Sequence, residues 1–405
     1  MGTVFSCYNY HNSELPEDST TTDNMHLKRY HIGVDVENLN VLNQNIDDQK
    51  YQTLCISGEN FLFPEFLISQ YSFSSNLLGK GKFGRVFEIQ SKFNQEVYAL
   101  KRLVFENAAR FTYFIKEINI LYRLLGYGNI VQFVENYNDV SNNAIFIIME
   151  KGDSTLKELM KTKLDGFEPE LANQLLIDMV FALYYAHNEG VAHSDIKPDN
   201  ILIFKGNRDQ LLNISPSKEF KNLIFKLSDF GGGTIKIMHE ETHLRGGMGF
   251  TRVYASPEVI KNDENEEFDE FIIFEKADIY ALGITLLKCC GIKLINKIIN
   301  DEEKHDKDMA ETLEKLKPKY QEKFIELLRK MLCFDKNRRI SLGEILKFLN
   351  VCLPPTSFTE TRREKKEIRN VSLEKNLPAK MIATQMDFYD FNSLFEQIKK
   401  AASIR

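Results

Sequence analysis

The chain has 405 residues, a formal net charge of −6 and 43% apolar residues, enough for more than one ordinary core and no sign of a nucleic-acid partner. Its six cysteines show no C-x-x-C spacing, which favours thiols in a reducing, cytoplasmic compartment over a disulfide or zinc framework. No run of 18 apolar residues occurs, so no spanning helix is expected.

At the start, Met1-Gly2-Thr3-Val4-Phe5-Ser6 fits the M-G-x-x-x-[ST] pattern for myristoylation of Gly2, and Cys7 is placed for a palmitoyl chain. One chain anchors only marginally, so both together would hold the protein at the cytoplasmic face of a membrane. Residues 1–33 read as a flexible segment, with Ser13 to Asn24 polar, acidic and aperiodic. Residues 34–70 form an extension with scattered apolar positions, and the pattern does not fix where it packs.

Leu78 to Val86 then reads LGKGKFGRV, with Gly79, Gly81 and Gly84 in G-x-G-x-x-G spacing. Glycines let a backbone approach phosphates that a Cβ would hold off. A dinucleotide-binding turn shares these letters but requires a helix directly afterwards. Here Arg85 to Gln90 and Glu96 to Leu103 are rich in Val, Phe, Ile and Tyr and read as a strand hairpin instead. Its second strand carries Val97-Tyr98-Ala99-Leu100-Lys101, where Lys101 alone would pass for an ordinary exposed lysine. Phe111 to Leu125 shows a helical stripe at Phe114, Ile118, Leu121 and Leu125, with Glu117 in its middle. Tyr127 to Val134 follows, and Ala144 to Met149 is an apolar strand that runs into Glu150-Lys151-Gly152.

In the second half, HSDIKPDN spans His193 to Asn200, and by itself it could be a polar turn. The apolar run from Phe225 ends in Asp229-Phe230-Gly231, and Lys205 to Asn222 between the two reads as a surface insertion. Farther on stand Tyr254-Ala255-Ser256-Pro257-Glu258, then Asp278-Ile279-Tyr280-Ala281-Leu282-Gly283, then DKNRRIS from Asp335 to Ser341. Asn262 to Glu275 is acidic and reads as a solvated loop. Residues 351–405 read as a tail: Pro354 to Lys380 is a charged linker, and Phe391, Leu394, Phe395 and Ile398 form a short amphipathic stripe over Phe391 to Ala402.

These ordered segments, from Leu78 to Ser341, resemble the eukaryotic protein kinases. The resemblance implies an α+β, two-lobed fold over residues 71–350, with a small β-rich N-lobe (71–149) and a larger, mainly helical C-lobe (153–350). It implies ATP and Mg2+ as cofactors and Ser or Thr of proteins as substrates. It makes Asp195 the acceptor of the substrate hydroxyl proton, Lys197 a neutraliser of charge on the moving phosphoryl group, and Lys101 the phosphate lysine paired with Glu117. Asn200 and Asp229 become the metal ligands. Leu78, Gly79, Gly81, Gly84, Val86, Ala99, Lys101, Met149, Glu150, Lys151 and Leu202 become the nucleotide-binding set, with Met149 as gatekeeper. Arg339 is the expected partner of Glu258, since a buried carboxylate needs a counter-charge.

Three positions depart from the family pattern: Ser256 for Ala, Tyr280 for Trp, and Ser194 for the Arg that normally pairs with a phosphorylated activation segment. The third suggests activity without that clamp. Thr234, Thr242 and Thr251 stand as candidate phosphosites, although Thr251 also matches a structural threonine near the substrate hydroxyl. Lys197 with Thr251 resembles the serine/threonine branch. A pseudokinase scaffold is disfavoured by the presence of Lys101, Glu117, Asp195, Asn200 and Asp229. A small-molecule kinase is disfavoured by Ser256-Pro257-Glu258, Asp278 and Arg339.

Overall fold

A computed structural model describes residues 50–81, 84–139, 141–206, 223–235, 250–265, 271–293 and 301–351. Gly2, Cys7, Thr242 and the Phe391 to Ala402 stripe lie outside them, as does nearly all of the Lys205 to Asn222 insertion.

The chain enters through a hairpin, β1 (Tyr51–Ile56) and β2 (Glu59–Pro64), followed by a short helix α1 (Glu65–Gln70). Then come β3 (Tyr71–Lys80), β4 (Gly84–Ser91), β5 (Val97–Val104), α2 (Ala108–Arg123), β6 (Phe133–Asp139) and β7 (Ala144–Glu150). The five strands from β3 form one antiparallel sheet in the order β3-β4-β5-β7-β6.

Side chains alternate across a strand, and β7 uses both faces. Ala144, Phe146 and Ile148 join Phe61, Phe63, Leu67 and Phe87 beneath the hairpin, while Ile145 and Ile147 face the core shared with α2 and the lower lobe. The extension that the sequence left unplaced therefore caps the outer face of this sheet. Its aromatic rings interlock there: Phe63 lies 4.5 Å from Phe73 and 5.2 Å from Phe87, centroid to centroid, in the tilted and edge-on geometries that aromatic pairs favour.

The second lobe contains β8 (Ser154–Thr155), α3 (Leu156–Thr162), α4 (Pro169–Asn188), β9 (Val191–Ala192), β10 (Ile201–Lys205), β11 (Leu223–Leu227) and β12 (Thr234–Ile235). After these come α5 (Pro257–Asn265), α6 (Phe271–Cys289), α7 (Glu302–Glu314), α8 (Glu322–Met331) and α9 (Leu342–Leu349). α4 is buried on almost every side, from Leu171 to Ala186, as befits the central helix of a lobe. Its Asp178 accepts a hydrogen bond from the backbone N–H of Phe225 at 3.0 Å, fixing β11 against the helix. The small sheets β11-β10-β8 and β12-β9 lie at the junction of the lobes.

One expectation is corrected. Much of the acidic stretch Asn262 to Glu275 is helical, with α5 reaching Asn265 and α6 starting at Phe271. Charge marked it as solvated, but Ile273 and Ala277 pack with Val259 and anchor the start of α6. Among the described residues Cys55, Cys289, Cys290 and Cys333 are free thiols, and no helix is long and apolar enough to cross a membrane.

Candidate active site

The upper wall of the cleft is built from β3, β4 and β5. Gly79 pairs with Val86 and Lys80 with Arg85, and the Gly81 N–H closes on the Gly84 carbonyl at 3.0 Å. Gly84 has a reason of its own to be glycine: a Cβ there would stand 2.3 Å from the Arg102 carbonyl of β5. Val86 sits opposite Lys101, and Ala99 sits opposite Met149 on β7.

The β1–β2 hairpin grips both arms of this glycine-rich turn. Glu59 pairs with Lys80 at 2.7 Å and with Arg85 at 3.4 Å, and the Ser57 hydroxyl accepts the Leu77 N–H at 3.0 Å. Sequence reasoning missed these contacts, because nothing in the spacing of the extension points to its partners.

Lys101 meets Glu117 of α2 at 2.5 Å and Asp229 at 2.8 Å. Burial by itself would lower the Lys101 ammonium, but the Asp229 and Glu117 carboxylates more than offset that and hold it raised. Lys101 in turn draws the Asp229 carboxyl down to about 2. Glu117 is buried, and that burial raises its carboxyl against the pull of Lys101.

At the strap between the lobes, the Glu150 N–H is committed to the Gln132 carbonyl at 2.9 Å. The Glu150 carboxylate binds Lys226 at 2.8 Å through both oxygens and also takes the Gln132 N–H at 2.7 Å. The Glu150 N–H is therefore already spent within the fold. Lys151 pairs with Glu88 at 3.3 Å. Gly152 rests against Leu202, whose Cβ would lie 3.0 Å from a Cβ at that glycine.

Below, Asp195 is at the centre of a tight polar cluster. Its Oδ1 accepts from the Thr251 N–H at 3.0 Å and the Thr251 hydroxyl at 2.8 Å, and its Oδ2 accepts from Lys197 at 2.5 Å. Lys197 also donates to Thr251 Oγ1 at 2.8 Å. The Asn200 amide nitrogen donates to the Asp195 carbonyl at 2.9 Å, which turns its one remaining polar atom, an oxygen, into the metal-capable group. Asp229 keeps a second carboxylate oxygen beyond the one held by Lys101. Among the described residues no three His, Cys, Asp or Glu side chains could hold a metal by themselves. Asn200 and Asp229 thus suit a hard cation that takes its other oxygens from phosphates and water, as magnesium does.

The loop that presents Asp195 is strained and held. Ser194 has φ 65° and Asp229 φ 59°, in the left-handed region that side chains with a Cβ disfavour. The buried Asp278 carboxylate accepts the His193 and Ser194 N–H groups at 2.8 Å each and the His187 ring at 2.9 Å. His193 also bonds the Ser228 carbonyl at 2.9 Å and packs edge-on to Phe230, which joins the loop to the Asp229 turn.

One candidate phosphosite is corrected: Thr234 is buried, with its hydroxyl 3.4 Å from Ser194 Oγ. The Thr251 hydroxyl is engaged by Asp195 and Lys197, in keeping with its reading as a structural threonine.

A family model described as "Protein kinase domain" matches residues 73–349, more than half of the chain. The serine/threonine-protein kinase Nek8 of Danio rerio is 25% identical over 69% of this chain and 37% of its own length. The serine/threonine-protein kinase MPS1 of Encephalitozoon cuniculi is 27% identical over 52% of this chain and 31% of its own. An Aurora kinase of Dictyostelium discoideum is 28% identical over 67% of this chain and 63% of its own. The chain thus spans between about a third and somewhat under two thirds of these relatives. A solved kinase-domain crystal structure superposes with a TM-score of 0.50 at 21% identity, covering 69% of this chain and 95% of that one; that likeness is one of fold.

Proposed function

The chain belongs to the protein kinase family, and from that premise we propose that it transfers the γ-phosphoryl group of ATP to serine and threonine hydroxyls of proteins. The observation that carries this reading is the Asp195 cluster. A carboxylate fixed by Thr251, Lys197 and Asn200 is an acceptor already aimed for a substrate hydroxyl, and preorganisation of this kind is where most of the rate of phosphoryl transfer originates.

In this reading Lys101, aligned by Glu117, binds the α- and β-phosphates, and Leu78, Val86, Ala99, Met149 and Leu202 enclose the adenine. The Glu150 carbonyl and the Lys151-Gly152 backbone read its edge. Asn200 and Asp229 hold magnesium, which when bound neutralises charge on the phosphates. Lys197 beside Thr251 favours serine and threonine over tyrosine. The test is to incubate the pure protein with labelled ATP and a degenerate peptide library; label on Ser or Thr peptides is expected, and absence of label on all peptides overturns the reading.

We also propose that no activation-segment phosphate is required. Ser194 offers no cation to a phosphate, and its hydroxyl lies 3.4 Å from that of Thr234 instead. Treatment with a broad phosphatase should leave turnover within about twofold, whereas in a clamp-dependent enzyme a charge-assisted contact worth about 1.5–3 kcal/mol would be lost. Loss of nearly all turnover would sink the idea.

A cytoplasmic protein held at a membrane by acylated Gly2 and Cys7 completes the proposal, supported by the opening hexapeptide. Mass spectrometry of the native N-terminus should find Gly2 carrying myristate; an unmodified Gly2 rejects it.

A further inference from the structure

Lys116, one residue before Glu117 on α2, is a buried cation for which the reaction has no evident use. It is only 5% exposed, and among the described residues no carboxylate lies within ion-pair distance of its ammonium. Its Nζ donates to the backbone carbonyl of Gly233 at 2.6 Å and lies 5.1 Å from the centre of the Tyr113 ring. Burial pushes the ammonium down to about 8, with Glu117 pulling the other way. A cation in such a place costs stability. A methionine of similar length would fill the volume without that penalty, so helix stability does not account for a lysine here.

The acceptor is equally particular. A Cβ on Gly233 would stand 2.9 Å from Ile120 Cδ1 of α2, 2.9 Å from the Phe230 carbonyl and 3.3 Å from the Ala192 carbonyl. The segment is thereby pressed between α2 and the strand that leads to Asp195. Directly after Gly233, Thr234 and Ile235 pair with Ala192 and Val191. The hydrogen bond thus joins the helix that carries Glu117 to the turn that carries Asp229, and the β12–β9 pairing carries the link on to the strand that precedes the catalytic loop. Nearby, the uncharged Ser194 side chain lies 3.4 Å from Thr234, hydroxyl to hydroxyl.

We infer that Lys116 is a positioning residue that ties α2 to the start of the activation segment through the Gly233 carbonyl, and so keeps Glu117 on Lys101 without a phosphate. The inference rests on the kinase reading above and supplies the contact that makes the phosphate dispensable. Lys116 touches no reacting group; it acts through Gly233 and Glu117.

The test is Lys116→Met in the full-length, phosphatase-treated chain. Loss of a buried, charge-assisted bond should lower kcat on a peptide substrate by about tenfold or more, with KM for ATP changing less than about threefold. The melting temperature should hold or rise. Backbone amides over residues 108–123 and 230–235 should exchange faster with deuterium. Unchanged kcat overturns the positioning role, as does a fall in melting temperature that parallels the loss of activity. Unchanged exchange over those segments overturns the tether itself. Exchange is read without turnover, so a wild-type chain that labels no peptide refutes the kinase reading while the tether is still judged.

Discussion

Asp195→Ala is expected to reduce phosphoryl transfer by roughly 10²- to 10⁴-fold, the range that a positioned general base contributes, while nucleotide binding changes little. The loss should lie towards the upper end of that range, because the same carboxylate also orients three neighbours. Without it Thr251 loses its acceptor for both N–H and hydroxyl, and among the described residues Lys197 keeps only Thr251. Asn200 retains its bond to the backbone carbonyl, and the Lys101–Asp229 pair lies outside the cluster, so the metal-capable atoms stay in place. Peptide phosphorylation and nucleotide titration on the same preparation check both halves. Equal phosphate incorporation by the variant would refute the assigned base.

Arg339→Met should destabilise the protein by roughly 3–5 kcal/mol, the usual consequence of stripping one partner from a buried ion pair. Arg339 is fully buried, and its guanidinium uses all five of its N–H donors. Two go to Glu258, at 2.5 and 2.9 Å, and three go to the carbonyls of Lys276, Cys333 and Phe334. The guanidinium also lies 5.0 Å from the centre of the Tyr280 ring. A lysine cannot reproduce that fork, so Arg339→Lys should recover little. The double variant with Glu258→Gln should recover a good part, because it removes the stranded carboxylate. Equilibrium unfolding in urea measures all three. A loss below about 1 kcal/mol for Arg339→Met would mean that the pair is only a surface contact.

The Glu258–Arg339 pairing was legible in the sequence because both residues lie in segments that resemble ordered motifs of the protein kinases. The same is true of Lys101 with Glu117 and of Asp195 with Lys197 and Asn200. Tyr280 was legible as a substitute for Trp, and the structure shows how it serves: it is buried, bonded to the His305 ring at 3.1 Å and faced by Arg339. Thr234 was misread, because a threonine in a glycine-rich segment looks exposed until β12 is seen to pair with β9. Asn262 to Glu275 was misread because net acidity says nothing about the apolar residues beside it that seat a helix.

The sequence by itself determined the family of this protein, and with it the residues proposed for the chemistry. Phosphate-approaching glycines, a strand lysine, a helix acid and two carboxylates stand in the order that the resemblance to the protein kinases requires, and each residue type suits the group which that resemblance has it meet. Only the tertiary structure decided what holds those groups in place. The hairpin carrying Glu59 sits on the glycine-rich turn, Asp278 restrains the strained Ser194, and Lys116 reaches Gly233 across 117 positions. Such contacts join residues with no shared period or motif, and their partners are backbone carbonyls and N–H groups, which every residue offers alike. The fold chooses among them by distance, and distance is not written in the spacing of letters.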